Sequence, residues 1–383
     1  MFKVVLWDYT GESEACAKFY MKDDVKVIRT LRPDDPDQAE VIMRGDWDFV
    51  LIFENGQREL FNEIFKTMRA MNFSTDNIIF AKDFKSWLNN PAAICALMKP
   101  EACDELYRYW HFFNHRRWHH YTAVSAEGLH YVGTAEDTVV MWWTNLWNKN
   151  FAADEMKLFR ELSKKYYGVD DSAGYFLDLG ANIGTTGIYF LKKFAPDMKL
   201  IAFEPDAENF KLLRVNTILN DMEDKATLVN CGLGDKFDTM TMYRDLSNPA
   251  ANGVFKVSEG ASTETIKIIP LDSYFAENKI AAEEVKYIWI DTEGFEPQVL
   301  LGAKNLLTKN PAPIFMECNL RAWDKSGRFD DMLALLSEHY PYFIHVQGGE
   351  KIYPLYVLKT IERPDNTLGQ IGDIFLIKKG AID

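Results

Sequence analysis

The sequence YFLDLGANIGTTG, residues 175–187, combines a short apolar segment, a glycine-rich turn and the beginning of a helix. Asp178 stands where a buried strand is expected to end. Gly180 and Gly184 allow the backbone to turn tightly and to approach a ligand, because neither carries a side chain. The amphipathic segment GIYFLKKF follows and stops before Pro196, which predicts a helix after the turn. This order of elements predicts a nucleotide-binding strand, turn and helix.

The glycine spacing distinguishes between nucleotide ligands. A dinucleotide-binding turn has the pattern G-x-G-x-x-G, and counting from Gly180 this chain has Asn182 and Thr185 at the second and third glycine positions. An acid before the turn instead suits S-adenosylmethionine, whose ammonium and sulfonium groups are cationic. Glu204 ends the next apolar segment and can bind both ribose hydroxyls. We therefore expect Asp178 at the amine and Glu204 at the ribose, the alternative being that both acids are helix caps or surface charges.

Four motifs in the second half of the chain resemble those of the FkbM-type S-adenosylmethionine-dependent methyltransferases. They are FLDLGANIG at 176–184, FEPDAENF at 203–210, IPLDSYF at 269–275 and IDTEGFEPQVLLGA at 290–303. The last motif is the most specific, since methyltransferases in general do not share it. The resemblance covers about 174–379. It implies an α/β fold of the class I methyltransferase type, Rossmann-like, with a seven-stranded mixed sheet.

The expected site lies at the carboxyl ends of the core strands, where open α/β sheets bind their ligands. Asp291, at the end of the fourth core strand, and Glu293 are the candidate catalytic residues, because a hydroxyl acceptor must lose its proton. Glu317, after the fifth strand, is expected to share the same crevice. The turn CGLGD after the third strand is expected to border the adenine. The candidate cofactor-binding residues are Asp178, Gly180, Ala181, Asn182, Gly184, Glu204, Pro205, Cys231, Gly232 and Asp235.

Several of these acids have alternative interpretations. Glu293 and Glu296 could instead cap or salt-bridge the start of the following helix, where acids complement the helix dipole. Asp291, Glu293 and Glu317 could together hold a divalent ion. A second metal candidate is a histidine series at helical spacing, although the aromatic residues between its members favour packing. That series is His111, His115 and His119. We predict no metal, and no nucleophilic role for Cys231, which has no basic partner nearby in the sequence.

The length of 383 residues favours two domains. Alternating short strands and helices predict a smaller α/β N-terminal domain over 1–100, followed by a connecting segment over 101–173 and a methyltransferase domain over 174–383. The first turn of the N-terminal domain offers only Gly11 where a glycine-rich loop would stand. We therefore expect an accessory module, or a module through which the protein forms a homo-oligomer, rather than a working nucleotide site.

Composition and charge exclude several classes of partner. The net charge of -14 argues against a nucleic-acid backbone as the natural partner. No apolar run reaches the roughly 18 residues of a membrane span, and the start of the chain, MFKVVLWDYTGE, lacks the layout of a signal peptide. The five cysteines form no C-x-x-C pair and are odd in number, which favours a reducing compartment. We expect a soluble cytoplasmic protein.

The predicted function is methyl transfer from S-adenosylmethionine to a hydroxyl by in-line displacement. The resemblance implies the acceptor class, a sugar, a glycan or another small hydroxylated metabolite. The segment Thr239–Ile269 is predicted to form a β-hairpin insertion whose loop, Asn248–Gly253, could reach toward this acceptor. The alternative is a catalytically weak cofactor-binding or interaction protein whose N-terminal domain binds the partner. A nicotinamide oxidoreductase is disfavoured by Asn182.

Overall fold

The structure is a computed structural model in which the chain forms two compact units, Met1–Phe113 and Asn114–Asp383. The expected helix at 61–71, the histidine series at 111–119 and the loop residues 248–251 lie outside the residues that the structure describes. The structure describes the whole chain except residues 1, 9, 12, 15–17, 19–20, 33, 45, 54–77, 81–96, 100–119, 136, 138, 245–251, 255–261, 347–348, 350, 361–369 and 383.

The N-terminal unit contains a four-stranded parallel sheet with the order β2-β1-β3-β4. Its strands are β1 (Lys3–Asp8), β2 (Lys26–Leu31), β3 (Phe49–Phe53) and β4 (Ile78–Phe80), and helix α1 spans Gln38–Arg44 between β2 and β3. β1 and β3 are apolar and buried along most of their length. Near-continuous apolar strands are typical of a parallel sheet that is covered on both faces.

The turn after β1 binds its own backbone N–H groups. One carboxylate oxygen of Asp8 accepts hydrogen bonds from the N–H groups of Thr10 and Gly11, each at 2.8 Å, and the other accepts the N–H and the hydroxyl of Ser13. Burial raises the pKa of Asp8, but these hydrogen bonds outweigh burial and lower the pKa to about 2. A phosphate at this turn would need the same N–H groups. In this structure Asp8 already engages the N–H groups of Thr10 and Gly11.

The C-terminal unit begins with an antiparallel hairpin and two helices. The hairpin consists of β5 (Tyr121–Ala126) and β6 (Leu129–Thr134), and the helices are α2 (Val140–Trp147) and α3 (Ala153–Tyr167). Residues 139–143 have an apolar pattern that predicts a strand, but the segment opens α2 instead. The carboxylate of Asp137 accepts the N–H groups of residues 139 and 140, both at 2.9 Å, and so supplies a helix start that outweighs β propensity.

The C-terminal unit is built around one mixed sheet of eight strands in the order β16-β15-β17-β14-β13-β7-β8-β9. β7, β8, β9, β13 and β14 are parallel to one another, whereas β17 is antiparallel to both β14 and β15. The eighth strand, β16, adds three residues at one edge to the seven strands that were expected. The strands of this unit after β6 are β7 (Tyr175–Leu179), β8 (Lys199–Phe203), β9 (Ala226–Val229), β10 (Gly232–Leu233), β11 (Asp238–Arg244), β12 (Ser262–Ile269), β13 (Val285–Ile290), β14 (Ile314–Asn319), β15 (Tyr342–His345), β16 (Ile352–Pro354) and β17 (Gln370–Ile377).

Helices accompany this sheet in chain order. They are α4 (Gly187–Phe194), α5 (Ala207–Leu219), α6 (Leu271–Asn278), α7 (Glu296–Leu301), α8 (Lys304–Lys309), α9 (Leu320–Ser326) and α10 (Phe329–His339), with 3-10 turns at Ala282–Glu284 and Leu355–Lys359. None of the helices in the described parts of the chain is long and apolar enough to cross a lipid bilayer.

The two faces of the sheet have different cores. On one face, aliphatic residues such as Leu177, Ile288 and Ile314 belong to a cluster that includes Leu333 and Leu336 of α10. On the other face, Phe159 of α3 lies within 6.3 Å, centroid to centroid, of six aromatic rings. Those rings belong to Phe176, Phe190, Tyr287, Trp289, Phe315 and Phe375. The helix α3 thus packs across the sheet, whereas we had expected the helix before the first core strand to cover the cofactor.

Two asparagines, Asn216 in α5 and Asn220 directly after it, attach the β5–β6 hairpin to the core. The side chain of Asn216 accepts the N–H of Val132 at 2.6 Å and donates to the carbonyls of Val132 and Ile183. One turn later, Asn220 accepts the N–H of His130 at 3.0 Å and donates to its carbonyl at 2.7 Å. These amides pair with β6 as a neighbouring strand would, and they also hold the glycine turn through Ile183.

We predict that Asn216→Ala destabilises the protein by roughly 2–4 kcal/mol, because it leaves buried backbone groups of β6 and of the glycine turn without partners. Urea unfolding followed by circular dichroism measures the change. Asn278→Ala is the matched control, since this exposed asparagine also donates to a backbone carbonyl, that of Tyr274 in its own helix. Equal effects of the two substitutions would contradict the role given to Asn216.

Candidate active site

A cavity opens at the carboxyl ends of β7, β8 and β13. It comprises about 980 Å³ of space that no atom fills, its open mouth included. Strand order reverses between β7 and β13, and open α/β sheets bind ligands at such a switch point. The predicted site residues that line the cavity are Gly180, Ala181, Asn182, Glu204, Pro205, Cys231, Gly232, Asp291 and Glu293.

The glycine turn forms the floor of the cavity. Gly180 has a φ of +95°, and a Cβ added there would collide with the backbone carbonyl of Asp291. The N–H groups of Gly180 and Ala181 both donate to the carbonyl of Phe203, at 3.0 and 2.9 Å. Gly184 does not line the cavity, but it too has a positive φ, of +91°, and closes the turn. The turn is therefore held against both β8 and the segment after β13, in a backbone shape that requires glycine.

Asp178 lies beneath the turn and is fully buried. One carboxylate oxygen accepts the hydroxyl of Thr186 at 2.7 Å and the N–H of Gly187 at 2.9 Å, so that Asp178 holds the start of α4. Its other oxygen, Oδ1, is buried and has no hydrogen-bond partner among the described residues. Burial raises the pKa of Asp178 to about 6 despite the two hydrogen bonds. One oxygen thus has a structural role, and the other is left for a donor that the described residues do not supply.

Glu204 lines the cavity from the end of β8 although its side chain is almost completely buried. One carboxylate oxygen accepts the N–H of Asn182 and the other accepts the N–H of Asp206, each at 2.8 Å. Burial raises the pKa of Glu204 to about 8, and the neighbouring carboxylate of Asp206 contributes. Each oxygen has a further lone pair, so the carboxylate can still accept two hydroxyl groups.

Asn182 also has an available oxygen and lines the cavity, whereas Asp178 lies beneath the turn and does not line it. Its Oδ1 atom is buried and without a hydrogen-bond partner among the described groups. The residue has a φ of +48°, a left-handed conformation that is uncommon outside glycine, although asparagine tolerates it better than most residues. Asn182 stands at the position of the second glycine of a dinucleotide-binding turn, and it adopts a left-handed backbone conformation there although it is not a glycine.

Asp291 and Glu293 lie on the opposite side of the cavity from Glu204 along the sheet edge. The side chain of Asp291 is exposed, but it is exposed to the cavity and not to the outer surface of the protein. Its carboxylate is therefore withdrawn from bulk water. Burial raises the pKa of Asp291 well above its usual value, and the carboxylates of Glu293 and Glu296 raise it further. Glu293 has a φ of +52°. Strained backbone of this kind is concentrated at functional sites.

Glu296 holds this strained turn and does not face the cavity. One of its oxygens accepts the N–H and the hydroxyl of Thr292, at 2.9 and 2.8 Å, and the N–H of Gly294 at 3.1 Å. The other accepts the indole N–H of Trp323 at 2.6 Å. Of the alternatives for the acids of this motif, the structural one therefore applies to Glu296.

Two predicted residues lie elsewhere. Asp235 does not line the cavity, because its carboxylate pairs with the guanidinium of Arg328 on the far side of the β10 turn. Glu317 does not follow β14 but lies inside it, opposite Asp373 of β17, since the strand continues to residue 319. Neither position follows from the sequence, because both depend on how far a strand extends before the chain turns.

Cys231 lines the cavity, and burial raises the pKa of its thiol to about 11. The thiol is therefore protonated near neutral pH, which disfavours a nucleophilic role. Across the residues that the structure describes, His, Cys, Asp and Glu side chains form no group of three or more able to hold a metal ion.

Much of the apolar lining was not predicted. Met242, Ile266 and Ile268 of the β11–β12 hairpin face the cavity, as do Trp289 and Phe295. The alternation in TMTMY and TIKII contains the signal for the hairpin residues, since period-two spacing places them on one face. The remaining lining residues include Val140 and Phe151, which precede the first core strand and carry no sequence signal for a site.

The strand order, the cavity at the switch point and the acids at the carboxyl ends of β7 and β8 define a class I methyltransferase fold. Residues 178–342 match the family model of the methyltransferase FkbM domain. The resemblance found in the sequence motifs is thereby confirmed.

Individual relatives are distant. The methyltransferase sdnD of Sordaria araneosa is 34% identical over 68 residues, which are 18% of this chain and 26% of that protein. The chain thus spans about a quarter of that relative. A crystal structure of methyltransferase FkbM from Methylobacillus flagellatus KT aligns over 98% of this chain and 90% of its own, with 13% identity and a TM-score of 0.35. A crystal structure of a SAM-dependent O-methyltransferase from Thermotoga maritima aligns over 67% of this chain and 77% of its own, with 12% identity and a TM-score of 0.31.

We predict that Glu204→Gln changes the pH dependence of stability. The pKa of Glu204 is raised on folding, so the stability that it contributes is complete below its unfolded pKa and is lost as pH rises toward about 8. Between pH 5.5 and 8.5 the variant should gain roughly 2–3 kcal/mol relative to the native protein. Thermal unfolding at both pH values measures this gain, and the exposed Glu283→Gln is the control. A constant difference between variant and native protein would contradict the burial of a titrating Glu204.

Proposed function

We propose that the C-terminal unit binds S-adenosylmethionine and transfers its methyl group to a hydroxyl of a sugar, a glycan or another hydroxylated metabolite. One observation carries the proposal. The buried carboxylate of Glu204 and the glycine turn face the same cavity as Asp291 and Glu293. The cofactor-binding acids and the candidate base therefore share one space at the switch point of the sheet.

The residues of the cavity fit the cofactor. The unpartnered oxygens of Asp178 and Asn182 adjoin the glycine turn and suit the N–H donors of an ammonium group. The free lone pairs of Glu204 suit ribose hydroxyls, and the apolar side chains of the hairpin suit an adenine ring. When bound, the cofactor supplies a methyl group on a cationic sulfonium. Glu204, Asp178 and the turn would hold it, and the acids of the cavity complement its positive charge.

The contribution of the protein to the reaction is mainly positional. Alignment of two reacting groups can supply roughly 7–11 kcal/mol, whereas a general base adds on the order of 10²- to 10⁴-fold. Asp291 is the proposed base, since its carboxylate lines the cavity and its raised pKa makes it a stronger proton acceptor than an ordinary aspartate. Glu293, next to it on the strained turn, is proposed to orient the acceptor hydroxyl and to share the proton.

We predict that Asp178→Ala and Glu204→Ala each weaken the binding of S-adenosylhomocysteine by about tenfold or more, because each removes a charge-assisted contact. Isothermal titration calorimetry measures the dissociation constants. Asp235→Ala is the matched control, since this acid was also expected at the cofactor but pairs with Arg328 and does not line the cavity. Unchanged binding in both test variants, or an equal loss in the control, would contradict the proposed cofactor site.

We predict that the protein releases S-adenosylhomocysteine with at least one member of a panel of hydroxylated acceptors. With that acceptor, Asp291→Asn should lower kcat by about 10²-fold or more, with a smaller effect of Glu293→Gln and none of Glu283→Gln. Rates are measured at saturating cofactor. Full activity of Asp291→Asn would exclude Asp291 as the base, and activity confined to amine acceptors would exclude O-methylation.

A further inference from the structure

The β11–β12 hairpin forms one wall of the cavity. Its strands pair antiparallel from Asp238 opposite Ile268 to Arg244 opposite Ser262, and its apolar face contributes Met242, Ile266 and Ile268. Farther along the insertion, residues 252–254 also line the cavity. The hairpin belongs to a separate three-stranded sheet, β10-β12-β11, so the ladder of the central sheet does not fix its position.

Arg244, at the end of β11, connects the hairpin to the core. Its guanidinium donates to the carboxylates of Asp206 and Glu264. The Asp206 side chain is only 1% exposed and that of Arg244 is 27% exposed, so this pair is largely withdrawn from water. Asn252 donates to the same oxygen of Asp206 at 3.2 Å. A strand end and a loop of the insertion thus converge on one buried carboxylate.

Asp206 is also connected to the proposed ribose site. Its N–H donates to Glu204, and its second carboxylate oxygen accepts the N–H groups of Glu208 and Asn209 at the start of α5. The carboxylate that fixes the hairpin is therefore two residues from the one proposed to bind ribose. A movement of Asp206 therefore alters the backbone that positions Glu204.

The loop of the insertion reaches the candidate catalytic turn. Gly253 and Tyr243 exchange two backbone hydrogen bonds, at 2.9 and 3.1 Å, which hold the loop against β11. A Cβ added at Gly253 would lie 3.4 Å from the Cβ of Glu293, an ordinary van der Waals contact. The loop at 252–254 therefore packs directly on the turn that carries Glu293.

We propose that Arg244 is a positioning residue that sets the acceptor side of the cavity. It holds the hairpin on Asp206, so that the loop at 252–254 packs against Glu293 when Glu204 binds the ribose. The hairpin then determines which hydroxylated acceptor reaches Asp291. This inference rests on the proposed methyl transfer, and it makes the insertion responsible for acceptor selection and Arg244 responsible for its placement.

Hydrogen exchange at the Gly253 amide and calorimetry with S-adenosylhomocysteine test the proposal on the full-length protein. We expect S-adenosylhomocysteine to slow exchange at Gly253. Arg244→Ala should speed this exchange at least tenfold and weaken binding about tenfold. Arg244→Lys, which keeps the charge but can replace only part of the fork of contacts, should recover part of both.

Arg160→Ala is the matched control. Arg160 is 31% exposed and pairs with Asp171, but it does not line the cavity. Arg160→Ala should lower stability about as much as Arg244→Ala does, but it should leave hydrogen exchange at Gly253 and the binding of S-adenosylhomocysteine unchanged. Equal effects of the two alanine variants, or none for Arg244→Ala, would overturn the proposal. If Arg244→Ala does not fold, Asn252→Ala removes one contact to Asp206 and should still speed exchange at Gly253, and no change would overturn the proposal.

The two proposals fail in different ways. If the native protein does not bind S-adenosylhomocysteine, the proposed function is wrong, and exchange at Gly253 in the unbound variants still decides whether Arg244 holds the loop. If the native protein binds it but Gly253 exchanges equally in all variants, the proposed function stands and the role of Arg244 is wrong.

Discussion

The close approach of the Gly180 backbone to the carbonyl of Asp291 is the constraint on which the site depends. It brings the turn after β7 and the segment after β13 into contact at the point where the strand order reverses. Any side chain at position 180 would separate them. Because both segments are fixed by parallel strand pairing on one side and by this contact on the other, the cofactor side and the acceptor side of the cavity have a defined spacing.

The site collects carboxylates whose charge the fold does not neutralise. The donors to Asp178 and Glu204 are a hydroxyl and backbone N–H groups, and burial raises the pKa of Asp178, Glu204 and Asp291 alike. Burial of unpaired acids costs stability as pH rises. A cationic ligand that also donates hydroxyl groups offsets this cost on binding. Under the proposed function, these buried acids lower the stability of the unbound protein because they serve to bind a ligand.

Local sequence patterns predicted the core elements well, because their apolar periodicity and their acids coincide. The helix at Ala207–Leu219 and the strand at Val285–Ile290 have the expected bounds. The sequence did not reveal which acids face the ligand. Glu296 and Asp235 are engaged by Trp323 and Arg328, and these partners lie 27 and 93 residues away. The hairpin itself was predicted and forms. Its strand residues that line the cavity were not predicted, since the position of the hairpin depends on Arg244 and a buried Asp206.

The account is tested most directly by a crystal structure of the protein with S-adenosylhomocysteine. It predicts that both ribose hydroxyls lie within hydrogen-bond distance of the Glu204 carboxylate, about 2.5–3.0 Å between oxygens, with the amino group at the glycine turn and the sulfur directed toward Asp291. Adenosine bound at another place, or Glu204 without contact to the ribose, would contradict it.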